Sequence, residues 1–99
     1  MEAKLENKKI KTPKQFERYF KGAANHRRIE IIFIISRQQG ITLDGITEIL
    51  GGSFKTISEH TKKLVQSGLV NKKYCGRQVQ HELSPYGMKF LEFMKAFSD

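Results

Sequence analysis

The sequence has little of what marks several large protein classes. Cys75 is its single cysteine, so the chain can form neither an internal disulfide nor a metal cage built from thiolates. The longest apolar run, Ile31 to Ile35, is far too short to span a bilayer, and the charged N-terminus lacks the apolar core of a signal peptide. Repeats and low-complexity linkers are absent as well. These absences predict a cytoplasmic protein without a membrane partner.

Acidic residues are also in short supply. The 99 residues carry 18 Lys and Arg against 10 Asp and Glu, a formal net charge of +8. The basic excess lies in residues 1–28 and 53–83, whereas the chain between them is slightly acidic. Two basic segments on one small domain suggest a polyanionic partner, most often nucleic acid. The alternative is that the charge serves only solubility.

The patterns that support catalysis are missing too. The sequence has no nucleophile motif, no phosphate-binding loop and no carboxylate pair in a recognisable setting. The dispersed His26, His60 and His81 do not form a recognisable metal site. We therefore expect no enzyme activity and no cofactor. We expect His60 to be structural and Cys75 to be an incidental thiol rather than a redox switch.

The first part of the chain predicts an arm and two helices. Residues 1–11 are rich in lysine, so we expect a flexible basic arm followed by one domain, residues 12–99. The segment Thr12 to Gln15 is typical of a capped helix start with proline in the first turn, and Gly22 predicts the end of that helix. Asn25 is a good cap for a second helix, which we expect to be buried on most sides.

Two further helices are predicted around a pair of glycines. A short β-prone piece, Ile41 to Leu43, leads into a third helix over about 43–50. Gly51 and Gly52 break the chain, and Ser53 caps a fourth helix that runs to about Ser67. The residues of the third helix that we expect to face inward are Ile46, Ile49 and Leu50.

The remainder predicts a hairpin and a last helix. Apolar and polar residues alternate from Leu69 to Leu83 around a turn at Cys75 to Gln78. Ser84 and Pro85 then start a fifth helix. The whole order predicts a mainly α winged helix-turn-helix fold with about five helices and a two- to three-stranded sheet.

The fourth helix has one apolar and one polar flank. At about 100° per residue, Ile57, Thr61 and Leu64 share the flank that would dock on a core, with His60 at its edge. Such a helix fits the major groove of B-DNA, and its N-terminal N–H groups can hold a phosphate with Ser53. A merely solvated flank is the alternative, but the preceding turn and the following basic hairpin favour DNA. The polar flank carries Lys55, Ser58, Glu59, Lys62 and Gln66.

The segment Ser53 to His60, together with Leu64 and the run Gly68 to Val70, resembles the recognition-helix region of ArsR-type winged-helix regulators. The likeness runs from about Asn25 to the end of the chain. It implies a homodimeric regulator of transcription that binds double-stranded DNA, with repression favoured over activation and the effector unknown. The DNA-binding residues that we predict are Ser53, Phe54, Lys55, Thr56, Ser58, Glu59 and Lys62 on the helix, and Lys72, Lys73, Arg77 and Gln78 on the wing.

The resemblance also implies a dimer through the first and last helices. A domain this small has difficulty burying so many aromatic side chains alone, although ordinary core packing is the alternative. The dimer residues that we predict are Phe16, Tyr19, Phe20, Phe90, Phe93, Met94 and Phe97.

The departures from the family pattern are informative. Thr61 stands where a core leucine is usual, so we expect looser packing there. Glu59 stands where relatives often carry a basic or amide residue, so we expect a different target sequence. The third helix lacks cysteine and the last helix lacks histidine, so we expect no metal sensing through the family's known sites. A protein-interaction module is the rival function. RNA binding is a second rival, for which Tyr74 alone is a candidate exposed aromatic.

Overall fold

The computed structural model describes residues 9–98, and the predicted arm lies mostly outside them. The predicted mainly α fold with a wing is confirmed. Its elements in chain order are α1 (Pro13–Ala23), α2 (His26–Arg37), β1 (Ile41–Thr42), α3 (Leu43–Leu50), α4 (Phe54–Gln66), β2 (Val70–Cys75), β3 (Gln78–Leu83) and α5 (Pro85–Phe97).

Every helix begins at a side-chain cap, as predicted for α1, α2, α4 and α5. The hydroxyl of Thr12 accepts a hydrogen bond from the N–H of Gln15 at 3.2 Å, and the Gln15 amide oxygen accepts from the N–H of Thr12 at 2.8 Å. This reciprocal pair satisfies N–H groups that have no partner inside the helix. The caps of the other four helices are Asn25, Thr42, Ser53 and Ser84.

The three strands form one antiparallel sheet in the order β1-β3-β2. β2 and β3 are the two strands of the wing, and Val70 pairs with Leu83 at its base. β1 adds to the other edge of β3, where Ile41 pairs with His81. At the tip, Gly76 has a φ of 61°, a left-handed conformation that costs glycine little. The sheet therefore fixes the wing to the strand that precedes α3.

The core is centred on α2, whose apolar run is a helix as predicted. Ile31, Ile32 and Ile35 are fully buried, while Phe33 on the same helix is partly exposed. Side chains from the sheet, α3 and α4 close around them, so that the helix-turn-helix and the wing share one core. The other large buried side chains include Ile41, Ile46, Ile57, Leu64, Leu69 and Val70.

Two predictions about local structure are wrong. Ile49 does not face inward but is 56% exposed, because the eight-residue α3 is buried chiefly through Ile46. Gly22 does not end α1, which continues to Ala23. Instead, a Cβ atom at Gly22 would collide with the side chain of Ser67, so glycine there allows α1 to pack closely on the end of α4.

Candidate nucleic-acid interface

A tight turn joins α3 to α4. Gly51 and Gly52 have φ angles of 78° and 101°, which favour glycine, and the Ser53 hydroxyl accepts the N–H of Thr56 at 3.3 Å. From α2, Nη2 of Arg27 donates to the carbonyl of Gly51 at 3.2 Å. The turn is thus held from both sides, which sets the direction in which α4 leaves the body.

α4 has the two flanks that the sequence predicts. Ile57, Thr61 and Leu64 are buried against the core. The hydroxyl of Thr61 donates to the carbonyl of Ile57 at 2.8 Å, so this polar group in place of the usual leucine has a partner. The polar side chains that remain exposed are Lys55, Thr56, Glu59, Lys62, Lys63 and Gln66, with Ser58 half-buried.

A groove of about 410 Å³, here called the wing groove, separates α4 from the wing. Six predicted DNA-binding residues line it, namely Phe54, Ser58, Lys62, Lys72, Arg77 and Gln78. The other five, Ser53, Lys55, Thr56, Glu59 and Lys73, are exposed outside it. The groove therefore combines cations from α4 with cations from the hairpin that follows it in the chain.

Sequence reasoning missed the acidic residue that lines the wing groove. Asp44, on the first turn of α3, is exposed and lines the same groove. Its carboxylate repels phosphate and can accept from a cytosine amino group, so it restricts what this wall can bind. Its place two residues after the capping Thr42 was the only available signal, and that place is equally typical of an ordinary helix start.

Two histidines lie near the interface in structural settings. His81 is 3% exposed, and its Nδ1–H donates to the carbonyl of Ile41 at 3.1 Å, because a carbonyl can only accept. Burial lowers the pKa of His81, and the bond to Ile41 partly opposes that effect. Nδ1 of His60 lies 3.4 Å from Nη1 of Arg28. Burial, followed by the charge of Arg28, lowers the pKa of His60.

The predicted dimer residues form an aromatic surface on α1 and α5. Phe16, Phe20, Phe93 and Phe97 are exposed, and they are the residues that this name denotes below. Phe90 is half-buried and packs edge-on against Phe20, with ring centroids 5.4 Å apart, and Met94 is also half-buried.

Tyr19 differs from the other predicted dimer residues, because it is 7% exposed and belongs to the core of this chain. Its ring packs against Tyr86 at 5.0 Å. The ammonium of Lys11 lies 4.4 Å from the centroid of the Tyr86 ring and donates to the Tyr86 hydroxyl at 3.0 Å. That hydrogen bond is the main cause of a lowered pKa of Tyr86. Little of Tyr19 is left for a partner to contact.

Two classes of site are not found in the part of the chain that the structure describes. Within residues 9–98, no three side chains of the His, Cys, Asp or Glu type are grouped so that they could hold a metal ion. No helix in that range is long and apolar enough to cross a membrane.

The turn between α3 and α4, the exposed flank of α4 and the hairpin define a winged helix-turn-helix protein. Residues 25–72 match the family model described as bacterial regulatory protein, arsR family. The match runs from the cap of α2 into β2 and confirms the predicted resemblance. Over this region the chain matches the ArsR-type DNA-binding transcriptional regulators, a family and fold of regulators rather than of enzymes.

Solved structures share this fold at low sequence identity. The homodimeric winged helix-turn-helix DNA-binding domain of Mb0332 from Mycobacterium bovis, a possible ArsR-family regulator, has a TM-score of 0.77 and 22% identity, covering 87% of this chain and 80% of that one. HlyU from Vibrio cholerae has a TM-score of 0.73 and 24% sequence identity, covering 85% of this chain and 91% of that one. The ArsR family transcriptional regulator RHA00566 has a TM-score of 0.70 and 18% sequence identity, covering 91% of this chain and 92% of that one. No curated protein sequence is significantly similar to this chain.

Proposed function

We propose that this chain regulates transcription by inserting α4 into the major groove of a specific duplex. One observation carries the proposal: α4 buries Ile57 and Leu64, while its opposite flank leaves Lys55 and Lys62 free for solvent. An α-helix with side chains is about 10–12 Å wide and the major groove about 12 Å, so the exposed flank would face base edges.

The side chains of α4 divide into base-reading and backbone-binding groups. Lys55 and Lys62 would donate to guanine or to phosphate oxygens, and Glu59 would accept from the amino group of cytosine. Ser53 and the first N–H groups of the helix would hold a phosphate, where the helix dipole favours an anion. Thr56 lies beside them and would contact the same backbone.

The wing would bind the backbone next to the major groove. Lys72 and Lys73 would neutralise phosphates, and Arg77, at the exposed tip, would reach the minor groove with Gln78 beside it. Phe54 lines the wing groove and would lie against the sugars or bases at its entrance. Because these contacts involve little base reading, they would add affinity for any duplex.

The regulator would act as a homodimer in the cytoplasm, joined through α1 and α5. The aromatic surface supports this, because four exposed phenylalanines on one side of a small domain carry a hydration cost that a second copy would remove. Mb0332 is homodimeric with the same fold. A dimer seated on its operator would exclude other proteins from that DNA, so we infer repression, with a signal other than metal binding at the family's cysteine or histidine sites.

The test compares DNA affinities of the wild type and of two variants. Lys55→Ala should weaken binding to a selected duplex by about 1–3 kcal/mol if the lysine contacts a base. Arg77→Ala should weaken binding to selected and random duplexes alike. Lys95→Ala, on the exposed side of α5, is the matched control and should bind as the wild type does. Wild-type affinity in both α4 and wing variants would refute the groove assignment.

A further inference from the structure

A second basic surface lies on the flank of α4 that faces away from the wing. It is a shallow cleft of about 320 Å³ between α1, α2 and α4, here called the basic cleft. Its four cations come from three helices and are Arg18, Lys21, Arg28 and Lys63. None of them belongs to the DNA-binding set predicted from the sequence. The wing groove and the basic cleft therefore lie on opposite flanks of one helix.

The guanidinium of Arg28 is poorly satisfied in this cleft. Its Nη1 is 3.4 Å from Nδ1 of His60, and its Nη2 is 3.5 Å from the carbonyl of Lys21, both at the long limit for hydrogen bonds. Its buried Nε has no hydrogen-bond partner within residues 9–98. A half-buried cation with an unused buried donor is costly unless something accepts from it. The planar donor fork of arginine suits a phosphate best.

The charge in the basic cleft is only weakly compensated. Glu17 pairs with Lys21 at 3.1 Å on an exposed face, where such a pair contributes little. Arg18 donates to the Tyr19 hydroxyl at 3.0 Å and lies over that ring, so a neutral group holds its guanidinium in place. Lys63 has no ion pair in the part of the chain that is described. The cleft is thus a concentrated positive site that an anion would stabilise.

We propose that the basic cleft binds phosphate, and that its source is the DNA strand on the side of the major groove opposite the wing. This rests on the proposed function of α4. Two phosphate backbones border the major groove, so a helix inserted there has one on each flank. Ser58 and Lys62 face the wing groove, whereas Lys63 and Gln66 line the basic cleft. The domain would therefore hold both strands, one through the wing and one through α1 and α2.

His60 offers a readout of the cleft that does not depend on DNA binding. Its pKa is lowered by burial first and then by Arg28 and Arg27, while Glu59 on α4 raises it and His26 lowers it slightly. A phosphate beside Arg28 would offset the positive charge that lowers this pKa. Tripolyphosphate added to the wild-type chain should therefore raise the pKa of His60 in an NMR titration.

The DNA experiment uses a double variant and a control of equal charge. Lys21→Gln/Lys63→Gln removes two exposed cleft cations. Lys14→Gln/Lys95→Gln removes two exposed lysines elsewhere, and Lys95, like Lys21, faces a glutamate on its own helix. The slope of log affinity for a random duplex against log salt should become shallower by about 0.9 for each phosphate that the protein no longer neutralises, in the cleft variant only.

These experiments distinguish a failure of the cleft proposal from a failure of the proposed function of α4. A wild type whose DNA affinity is insensitive to salt and to Lys55→Ala contradicts α4 binding itself. If α4 binding holds but both double variants have the same slope, and tripolyphosphate leaves the pKa of His60 unchanged, the cleft proposal is overturned. A third outcome is that both double variants have the same salt slope, while tripolyphosphate raises the pKa of His60 in the wild type but not in the cleft variant. This would show that the cleft binds a free oligophosphate instead of the DNA backbone.

Discussion

His81 makes the stability of the wing depend on pH. The side chain is buried in β3 and joined to β1 through the carbonyl of Ile41. Burial, with a smaller contribution from Lys72, lowers its pKa below the ordinary value of 6.5, so the folded chain binds the proton less readily than the unfolded chain. The stability that the neutral imidazole contributes is therefore complete above 6.5 and is lost as the pH falls towards the lowered pKa.

We expect the melting temperature of the wild type to fall between about pH 7.5 and about pH 5.5, and to fall less in His81→Asn. The asparagine amide can still donate to Ile41 but does not titrate in this range. The lowered pKa of His60 acts in the same direction and leaves a residual slope in the variant. Thermal melts followed by circular dichroism at several pH values measure both slopes. Equal slopes would show that His81 does not contribute to the pH dependence.

For single residues, roles that depend on neighbours in the chain were predicted well from the sequence, whereas roles that depend on distant segments were not. Thr12, Asn25 and Ser53 cap helices as predicted, because a cap needs only its own neighbours in the chain. Gly22 was misread, because a glycine that admits a neighbouring helix looks the same in sequence as one that ends a helix. Arg28 was missed as a cleft residue, since its partners come from α1 and α4.

Among the elements, α4 was the easiest to predict, and the contacts that the wing makes with β1 and α3 were the hardest. The apolar residues of α4 recur at helical spacing, so its buried flank followed from periodicity alone. The alternation in β2 and β3 located the hairpin. The pairing of β1 with β3, and with it the position of Asp44 in the wing groove, depends on a contact across 40 residues that no local pattern encodes.

The aromatic surface of α1 and α5 gives an element-scale prediction about assembly. Phe20 and Phe93 are 52% and 53% exposed, so Phe20→Ser/Phe93→Ser should leave the fold of the single chain largely intact. If these helices join two copies, the double variant should sediment as a monomer where the wild type sediments as a dimer, because the substitutions remove the apolar area that the two copies would bury.

Phe33→Ser is the control for that experiment, since Phe33 is a partly exposed phenylalanine that belongs to α2 and not to α1 or α5. It should remain dimeric in sedimentation equilibrium at matched concentration. A dimer that persists in Phe20→Ser/Phe93→Ser, or one that dissociates equally in Phe33→Ser, would exclude α1 and α5 as the interface.

The whole molecule presents distinct surfaces around one small core. We propose that α4 faces the major groove between positive charge on the wing and in the basic cleft, and that a second copy covers the aromatic surface. Net charge alone predicted a polyanion partner but not its form. The exposed flank of α4 has cations on both sides, in the wing groove and in the basic cleft. This arrangement favours a DNA duplex as the partner over a single strand or a protein.

The central claim, that α4 reads base pairs in the major groove, is tested most directly by selection from random duplexes, with the wild type and Glu59→Gln in parallel. The wild type should enrich an inverted repeat whose half-sites are about one helical turn apart, or a multiple of it, as for a two-fold dimer. Glu59→Gln should change the preferred base pair at one position in each half-site, because a carboxylate and an amide accept and donate differently. If both proteins enrich the same sequence, Glu59 does not read a base, and if no sequence is enriched, α4 is not the reading element.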